Sequence, residues 1–183
     1  QIHQTNLIKR NAKRLSLLVD QVFELAKLEN ITSTKFQKYS VEQSVKSIFD
    51  AFLPFAESKM QTLTLESNCT GVLHLTADSF EKIVSNIVMN AIKYTPKGGT
   101  IRINARKEFH SFILSVSDDG PGIAKDKHKE IFERFTRVTA SQNIMGSGLG
   151  LAIASELVTL NNGDIWVDSL PGAGATFSIR LLL

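Results

Sequence analysis

The chain carries most of its glycine in one region. Eight of its eleven glycines lie after residue 119, although this region holds only about a third of the 183 residues. They form three clusters and one isolated position: Gly120, Gly122, Gly146, Gly148, Gly150, Gly163, Gly172 and Gly174. Glycine is used where the backbone needs a positive φ or where another segment or a ligand approaches closely. The sequence therefore predicts ordinary packed structure before residue 119 and specialised loops after it.

The composition is that of a globular chain with a core, since 43% of the residues are hydrophobic and 21% are charged. Cys69 is the single cysteine, which excludes a disulfide framework and indicates a reducing compartment. No apolar run approaches the ~18 residues that span a bilayer. Because the chain begins at Gln1 rather than at a methionine, we expect a piece of a longer protein. A net charge of +3 over the whole chain is weak evidence for nucleic-acid binding.

The first segment, residues 1 to about 29, has the pattern of one long helix. Seam positions recur at alternating spacings of three and four, as in a coiled coil or helical bundle: Ile8, Asn11, Leu15, Leu18, Val22 and Leu25. A helix with this much apolar surface needs a partner, so it packs on the rest of the chain or self-associates. The short polar segment 30–34 is predicted to be a joint.

The rest of the chain alternates between helical and strand patterns. Helices are predicted at 41 to about 60, with a kink or interruption at Pro54, and at 80–94 and 149–160. Strands are predicted at 36–41, 63–65, 72–75, 101–105, 112–116, 165–167 and 176–181. Because hairpins are frequent and βαβ repeats are not, we expect an α/β domain with helices on one side of a mixed or antiparallel sheet.

Three polar residues form a stripe along the predicted 80–94 helix: Asn86, Asn90 and Lys93. Amide oxygens are suitable ligands for Mg²⁺, and a lysine ammonium group suits a phosphate. Considered alone, these three residues are better explained as an ordinary solvated helix edge.

Acidic and glycine residues follow the predicted 112–116 strand, over 118–123. Glycines let the backbone approach a flat ligand, while a carboxylate can accept a hydrogen bond from a base amine. A plain turn explains the same residues when they are considered alone.

A second glycine-rich run, 146–151, leads into the predicted 149–160 helix. Glycines there expose N–H groups at the positive end of the helix dipole, which is a binding site for phosphate. The run lacks the Gly-Lys-Ser/Thr ending of a Walker loop and the preceding strand of a dinucleotide fingerprint. A third run, 171–177, has the pattern of a hairpin turn that enters the last strand.

The order of these motifs resembles that of the catalytic, ATP-binding domain of sensor histidine kinases, within the GHKL superfamily of gyrase-like ATPases. Five segments within residues 36–183 are similar, in order, to the N box, the first glycine box, the F box and the second and third glycine boxes: 86–95, 118–122, 131–137, 146–151 and 172–177. The resemblance implies a Bergerat-type α/β sandwich, in which a mixed sheet is backed by three helices, with a long N-terminal helix before it.

The resemblance also implies a domain organisation. Residues 1–30 would be the second helix of the dimerisation and phosphoacceptor hairpin, 31–35 a linker, and 36–183 the catalytic ATP-binding domain. Residues 124–147 would form a lid over ATP.

The resemblance assigns roles to individual residues. Asp118 would accept a hydrogen bond from the adenine amino group. Asn90, with Asn86, would hold Mg²⁺ against the phosphates. Lys93 would reach the phosphates, and Tyr94 would lie against the nucleotide.

The glycine boxes and the F box are expected to supply the remaining contacts. Backbone amides of the second glycine box would meet the phosphates. Phe132 and Phe135 would anchor the lid, and Arg137 would assist at the γ-phosphate. The other residues expected to contact ATP are Gly120, Gly122, Ile123, Gly146, Ser147, Gly148, Leu149, Gly150, Leu151 and Thr176.

Asn86 also bears on the reaction that the resemblance implies. ATPases of the superfamily place a glutamate four residues before the magnesium asparagine, as the base for the attacking water. Here that position is Asn86, so water lacks a base and transfer to a side chain is favoured over hydrolysis.

The phosphoacceptor histidine of the family has no counterpart in this sequence. His3, His74, His110 and His128 all lack the His-Glu-x-Arg/Lys-Thr-Pro context. The resemblance therefore implies an autokinase module that binds ATP and acts on a phosphoacceptor histidine domain in trans, for relay to a response regulator. The parent protein would be a homodimeric, membrane-anchored sensor that does not bind nucleic acid, and this chain would be a cytoplasmic part of it. An ATP-gated dimerisation machine, a serine kinase of the anti-sigma type and a pseudokinase are the alternatives.

Overall fold

The computed structural model describes residues 12, 15–16, 18–23, 25–26, 35–136 and 147–183. The chain divides into two compact units, 1–33 and 34–183. The described residues of the first unit are helical, as predicted. Several of them present exposed apolar side chains: Leu15, Val19, Val22 and Phe23. The rest of the predicted helix, together with Arg137 and Gly146, lies outside the described residues. The interpretation of the first unit as a dimerisation helix stays a prediction.

In the part of the second unit that the structure describes, strands form two sheets. A five-stranded sheet has the order β2-β4-β5-β7-β6, and a two-stranded sheet pairs β1 with β3. The pairing of β2 with β4 is parallel and every other pairing is antiparallel. The strands are β1 Phe36–Ser40, β2 Thr62–Ser67, β3 Val72–Thr76, β4 Thr100–Glu108, β5 Ser111–Asp118, β6 Asp164–Ser169 and β7 Ala175–Leu182.

Three α-helices belong to the described part of this unit. They are α1 Val41–Ser58, α2 Ser79–Tyr94 and α3 Gly150–Leu160. Two 3₁₀ turns, Lys125–Lys127 and Glu130–Phe132, lie between β5 and α3. Helix α2 packs against both α1 and α3, so the three helices form one layer.

The core lies between this helical layer and one face of the large sheet. Apolar residues at alternate positions of the central strands are buried: Ile101, Ile103, Leu114, Val116, Phe177 and Ile179. In β5 and β7 the intervening Ile113, Ser115 and Ser178 are buried as well. The helices contribute residues at helical spacing, including Ile83 and Ile87 of α2 and Ile153 and Leu157 of α3. The apolar stripes that led to the α/β prediction are therefore buried in this core. The predicted α/β fold with a mixed sheet and helices is confirmed.

Two features of the fold add to or differ from the prediction. Residues 68–71 separate β2 from β3, and the two strands join different sheets, because β2 pairs with β4 and β3 pairs with β1. Parallel strands need a crossover, and here β3 and α2 supply it. Pro54 does not interrupt α1, which continues from Val41 to Ser58. Among the described residues, no helix is long and apolar enough to cross a membrane.

Candidate functional site

Asp118 is the last residue of β5, and its carboxyl group is buried. Its Oδ1 accepts a hydrogen bond from the Gly120 N–H at 2.8 Å. The pKa of this carboxyl is raised from 3.8 to about 6, mainly by burial and to a lesser extent by the charge of Asp119, while the N–H groups of Gly120 and Ala175 oppose the shift. A buried acid with a displaced pKa at a strand end is characteristic of a functional site.

Asp119, the next residue, has a structural role instead. Its Oδ2 accepts a hydrogen bond from the Thr100 N–H at 2.8 Å, and its own N–H donates to the Thr100 carbonyl at 3.2 Å. These bonds tie the end of β5 to the start of β4. Of the two adjacent acids, Asp118 is therefore the candidate for ligand recognition.

The loops after β5 and after β6 interlock through their glycines. Gly122 has φ +70°, and a Cβ there would overlap the Leu170 carbonyl oxygen. Gly174 has φ +73°, and a Cβ there would overlap the Asp118 carbonyl oxygen. A backbone bond from the Gly172 N–H to the Pro121 carbonyl, 2.7 Å, joins the same loops. The first and third glycine-rich runs thus form one structure around Asp118.

Ser169, which sequence reasoning missed, holds these two loops together. Its Oγ accepts a hydrogen bond from the Ile123 N–H at 2.8 Å and donates to the Gly174 carbonyl at 2.6 Å. The Ile123 carbonyl lies 3.3 Å from Nε2 of His128. Ile123 is therefore held through its backbone at the edge of the interlocked loops.

The polar stripe of α2 lies at the border of its buried face, as predicted. Nδ2 of Asn86 donates to the Lys82 carbonyl at 2.8 Å, which leaves its Oδ1 as an acceptor. The Asn90 side chain is half-buried. Nζ of Lys93 donates to the Tyr94 hydroxyl at 3.0 Å and lies 4.5 Å from the ring centre. Amide, ammonium and phenol groups thus follow one edge of the helix.

The start of α3 faces Asn86. A Cβ on Gly150 would lie 2.8 Å from the Asn86 Oδ1, so the absence of a side chain permits this approach. Ser147 Oγ accepts a hydrogen bond from the Leu149 N–H at 3.1 Å. The Leu149 side chain is fully buried, whereas Leu151 is half-buried. The structure therefore brings the first turn of α3 and the polar stripe of α2 together.

The F-box segment contacts the start of α3 through its backbone. The Phe135 N–H donates to the Gly148 carbonyl at 3.0 Å, and a Cβ on Gly148 would lie 2.8 Å from the Phe135 carbonyl carbon. The Phe135 ring is 62% exposed, so it does not anchor the segment as predicted. The Phe132 ring packs edge-on against Phe177 at 6.3 Å, in agreement with an anchoring role.

An ion pair that the sequence did not reveal joins the same segment to α3. Arg134 Nη2 and Glu156 Oε1 are 3.2 Å apart. Both side chains are partly exposed, so the pair is worth at most about 1 kcal/mol. Its partners are 22 positions apart, and charged residues of this kind give no sequence signal.

Thr176 is not brought to Asp118. Its Oγ1 bonds to Ser117 Oγ at 2.9 Å on the opposite face of the sheet. Successive strand residues point to opposite faces, and the residue that pairs with Asp118 in β7 is Ala175. The Thr176 side chain therefore lies on the face opposite Asp118, and its contact with ATP stays a prediction.

The donor set limits the kind of metal that fits. Among the described residues, no three histidine, cysteine, aspartate or glutamate side chains lie close enough to hold a metal ion. Asn86 and Asn90 offer amide oxygens one helical turn apart. Such a site suits a hard cation that takes most of its ligands from phosphate and water, which is the habit of Mg²⁺.

Comparison with known proteins places this site in context. Residues 76–183 match the family "Histidine kinase-, DNA gyrase B-, and HSP90-like ATPase". The sensor histidine kinase TmoS of Ectopseudomonas mendocina is 36% identical over 182 residues, covering 97% of this chain and 19% of TmoS. Full-length ShkA in complex with AMPPNP has a TM-score of 0.82 at 26% identity, covering 99% of this chain and 38% of ShkA.

A third similar protein was solved as part of a complex. ThkA, solved with the response regulator protein TrrA, has a TM-score of 0.78 at 19% identity, covering 97% of this chain and 49% of the ThkA chain. The chain thus spans about a fifth of TmoS and less than half of these two solved chains.

Proposed function

Since the chain belongs to the family of histidine kinase-, DNA gyrase B- and HSP90-like ATPases, we propose that it is the ATP-binding kinase module of a sensor histidine kinase. The observation that carries the proposal is the buried Asp118 carboxyl, enclosed by two interlocked glycine loops. A flat base can approach such a backbone closely, and a carboxylate can accept the hydrogen bond of its amino group. The ShkA structure, which contains AMPPNP, supports ATP as the ligand.

The other end of the site is suited to phosphates. Backbone N–H groups at Gly148 and Gly150 and the dipole of α3 would attract negative charge. Lys93 would add an ammonium group after it leaves the Tyr94 hydroxyl, to which it now donates. Tyr94 would then lie along the nucleotide.

Mg²⁺ fits this site, and Asn90 with Asn86 would hold it. The ion would neutralise phosphate charge during transfer. Asn86 Oδ1 is the free acceptor of its amide, because Nδ2 is engaged with the Lys82 carbonyl. The chain's own contribution is positioning: Asp118 orients the base, and the amides of α3 fix the phosphates.

Transfer to a histidine is favoured over hydrolysis by the chemistry at Asn86. A neutral amide cannot take a proton from water, so the site has no general base at this position. The γ-phosphoryl group would pass to a histidine supplied in trans, and from there to a response regulator. The ThkA complex with TrrA supports a regulator as partner. The exposed apolar side chains of the first unit support a helical, homodimeric parent protein.

Calorimetric titration with AMPPNP and Mg²⁺ tests the nucleotide site. We expect wild type to bind and Asp118→Asn to bind about tenfold to a hundredfold more weakly, because a hydrogen bond to a charged acceptor is lost. The matched control is Asp119→Asn, whose amide oxygen can still accept the Thr100 N–H. Equal affinities for wild type and Asp118→Asn would contradict the proposed adenine site.

A second experiment separates the kinase from an ATPase. Asn86→Glu places a carboxylate beside the first turn of α3, where it can act as a base. ATP hydrolysis should rise by about tenfold or more, measured as phosphate release. Asn86→Gln has the same length without the charge and should hydrolyse ATP as slowly as wild type. Equal hydrolysis rates for the two variants would contradict the inference that the missing base at position 86 disfavours hydrolysis.

A further inference from the structure

A buried polar cluster joins the C-terminal end of α3 to the N-terminal end of α2. Asn161 follows α3, Thr76 ends β3 and Ser79 begins α2, and all three are buried. Asn161 Oδ1 accepts a hydrogen bond from the Thr76 N–H at 2.8 Å. Asn161 Nδ2 donates to Thr76 Oγ1 at 3.2 Å and to the Leu157 carbonyl at 2.7 Å. Thr76 Oγ1 is also hydrogen-bonded to Ser79 Oγ.

The sequence explains Asn161 only as part of a helix stop. The turn geometry belongs to its neighbour, since Asn162 has φ +55°. The Asn161 side chain instead reaches residues 85 positions earlier in the chain. Its amide oxygen and both amide hydrogens are used, so its role is specific to this contact.

The cluster lies at the opposite end of α3 from the candidate phosphate site. At 1.5 Å per residue, the 11 residues of α3 separate the two ends by about 16 Å. At the near end Gly150 approaches Asn86, and at the far end Asn161 is bonded to Thr76. Helix α3 therefore approaches α2 at its first turn, and just after its last turn Asn161 is bonded to the end of β3, which is bonded in turn to the first residue of α2.

Between its two ends, α3 makes apolar contacts, and these do not by themselves fix the position of the helix along its axis. The buried residues of α3 are small or aliphatic: Ala152, Ile153, Ala154, Leu157 and Val158. Apolar contacts are non-directional, and sliding by a fraction of a turn changes their burial little. Hydrogen bonds have narrow distance ranges, so the bonds of Asn161 are disrupted by a shift of about 1 Å.

We propose that Asn161 is a positioning residue for phosphate binding, which sets how far the first turn of α3 extends toward Asn86 and the phosphates. The inference rests on the proposed nucleotide function and assigns the control of α3 to a side chain far from the ligand. The adenine end is independent of it, because Asp118 and its loops belong to β5, β6 and β7.

The test compares two ligands, AMPPNP with Mg²⁺ and adenosine, by calorimetry below the unfolding temperature. In Asn161→Leu, of similar volume but without the bonds, AMPPNP affinity should fall about tenfold while adenosine affinity stays within about twofold. Thr76→Val keeps the Thr76 N–H bond and removes the hydroxyl. We therefore expect a smaller fall in AMPPNP affinity relative to adenosine affinity than in Asn161→Leu. Asn162→Gly is the matched control, because glycine accepts φ +55° and the cluster is untouched.

The outcomes are distinguishable. A lower ratio of AMPPNP to adenosine affinity in Asn161→Leu and Thr76→Val, but not in Asn162→Gly, supports the inference. An unchanged ratio, including an equal loss for both ligands, overturns it and leaves Asn161 with a stabilising role only. If Asn161→Leu does not fold, Thr76→Val decides alone. Wild type that binds neither ligand contradicts the proposed function itself, and the inference falls with it.

Discussion

At the scale of single residues, Asp118 shows how the fold prepares a carboxylate for a ligand. Placing an acid at the buried end of β5 removes it from water, which raises its pKa to about 6 because the charged form loses hydration. Only part of this loss is compensated by the Gly120 N–H at 2.8 Å. A ligand amine would add a donor to the ionised form and so recover interaction energy that the free protein lacks.

The raised pKa predicts that nucleotide affinity depends on pH. A protonated Asp118 cannot serve as a full acceptor, so AMPPNP affinity should fall as pH is lowered from 8 through about 6 to 5. Calorimetry at each pH measures this. An affinity that is constant between pH 5 and pH 8 would show that Asp118 does not titrate in contact with the ligand.

The stability of the free protein should change in the opposite direction. The folded pKa lies above the unfolded value, so the proton on Asp118 stabilises the fold fully below pH 3.8, and this contribution is lost as pH rises through about 6. At pH 7, Asp118→Asn should therefore be more stable than wild type by roughly 2–3 kcal/mol, from the free energy per unit of pKa shift. Urea unfolding without ligand at pH 4 and pH 7 provides the check, since the difference should shrink at pH 4.

At the scale of elements, the two interlocked loops are the part of the site that substitution can dissect most cleanly. Gly172 and Gly174 share a loop and a left-handed conformation, with φ +80° and +73°. A Cβ on Gly172 would meet no atom within 4 Å, whereas one on Gly174 would overlap the Asp118 carbonyl. Alanine substitutions at these two glycines therefore separate the effect of backbone strain from the effect of steric overlap with β5.

We expect Gly172→Ala to cost about 1–2 kcal/mol, the usual penalty for a side chain in this conformation, and to keep AMPPNP affinity. Gly174→Ala should cost more and should also weaken AMPPNP binding, because the end of β5 must move. Urea unfolding and calorimetry on both variants measure the two effects. Similar losses of stability and affinity in the two variants would mean that the loops do not depend on their close approach.

Elements also show where sequence reasoning succeeded and where it could not. Helix α2 and the strand pairs β4–β5 and β6–β7 were predicted because apolar periodicity is a local signal. The separation of β2 from β3 was not, because pairing is decided by partners distant in the chain. Ser169 gave no signal, since its contact with Ile123 spans 46 positions. The sequence also could not show that Ala175, and not Thr176, pairs with Asp118, because only the register of β7 against β5 decides it.

At the scale of the whole molecule, the residues proposed to bind nucleotide and the exposed apolar helix belong to different units. Every described residue of the candidate site lies within 34–183, whereas the exposed Leu15, Val19, Val22 and Phe23 lie within 1–33. The large sheet, the small sheet and the helices α1 to α3 all fall in the second unit. This unit therefore has its own core, and nucleotide binding should be a property of it alone.

This division predicts the result of a truncation. A protein of residues 34–183 should fold and bind AMPPNP with Mg²⁺ within about twofold of the full chain, since no described candidate residue is removed. Far-UV circular dichroism verifies folding, and calorimetry compares the affinities. Asp118→Asn in the truncated protein is the control, because its affinity should fall there by the same factor as in the full chain. A folded 34–183 protein that binds more than about tenfold more weakly would place part of the nucleotide site in the first unit.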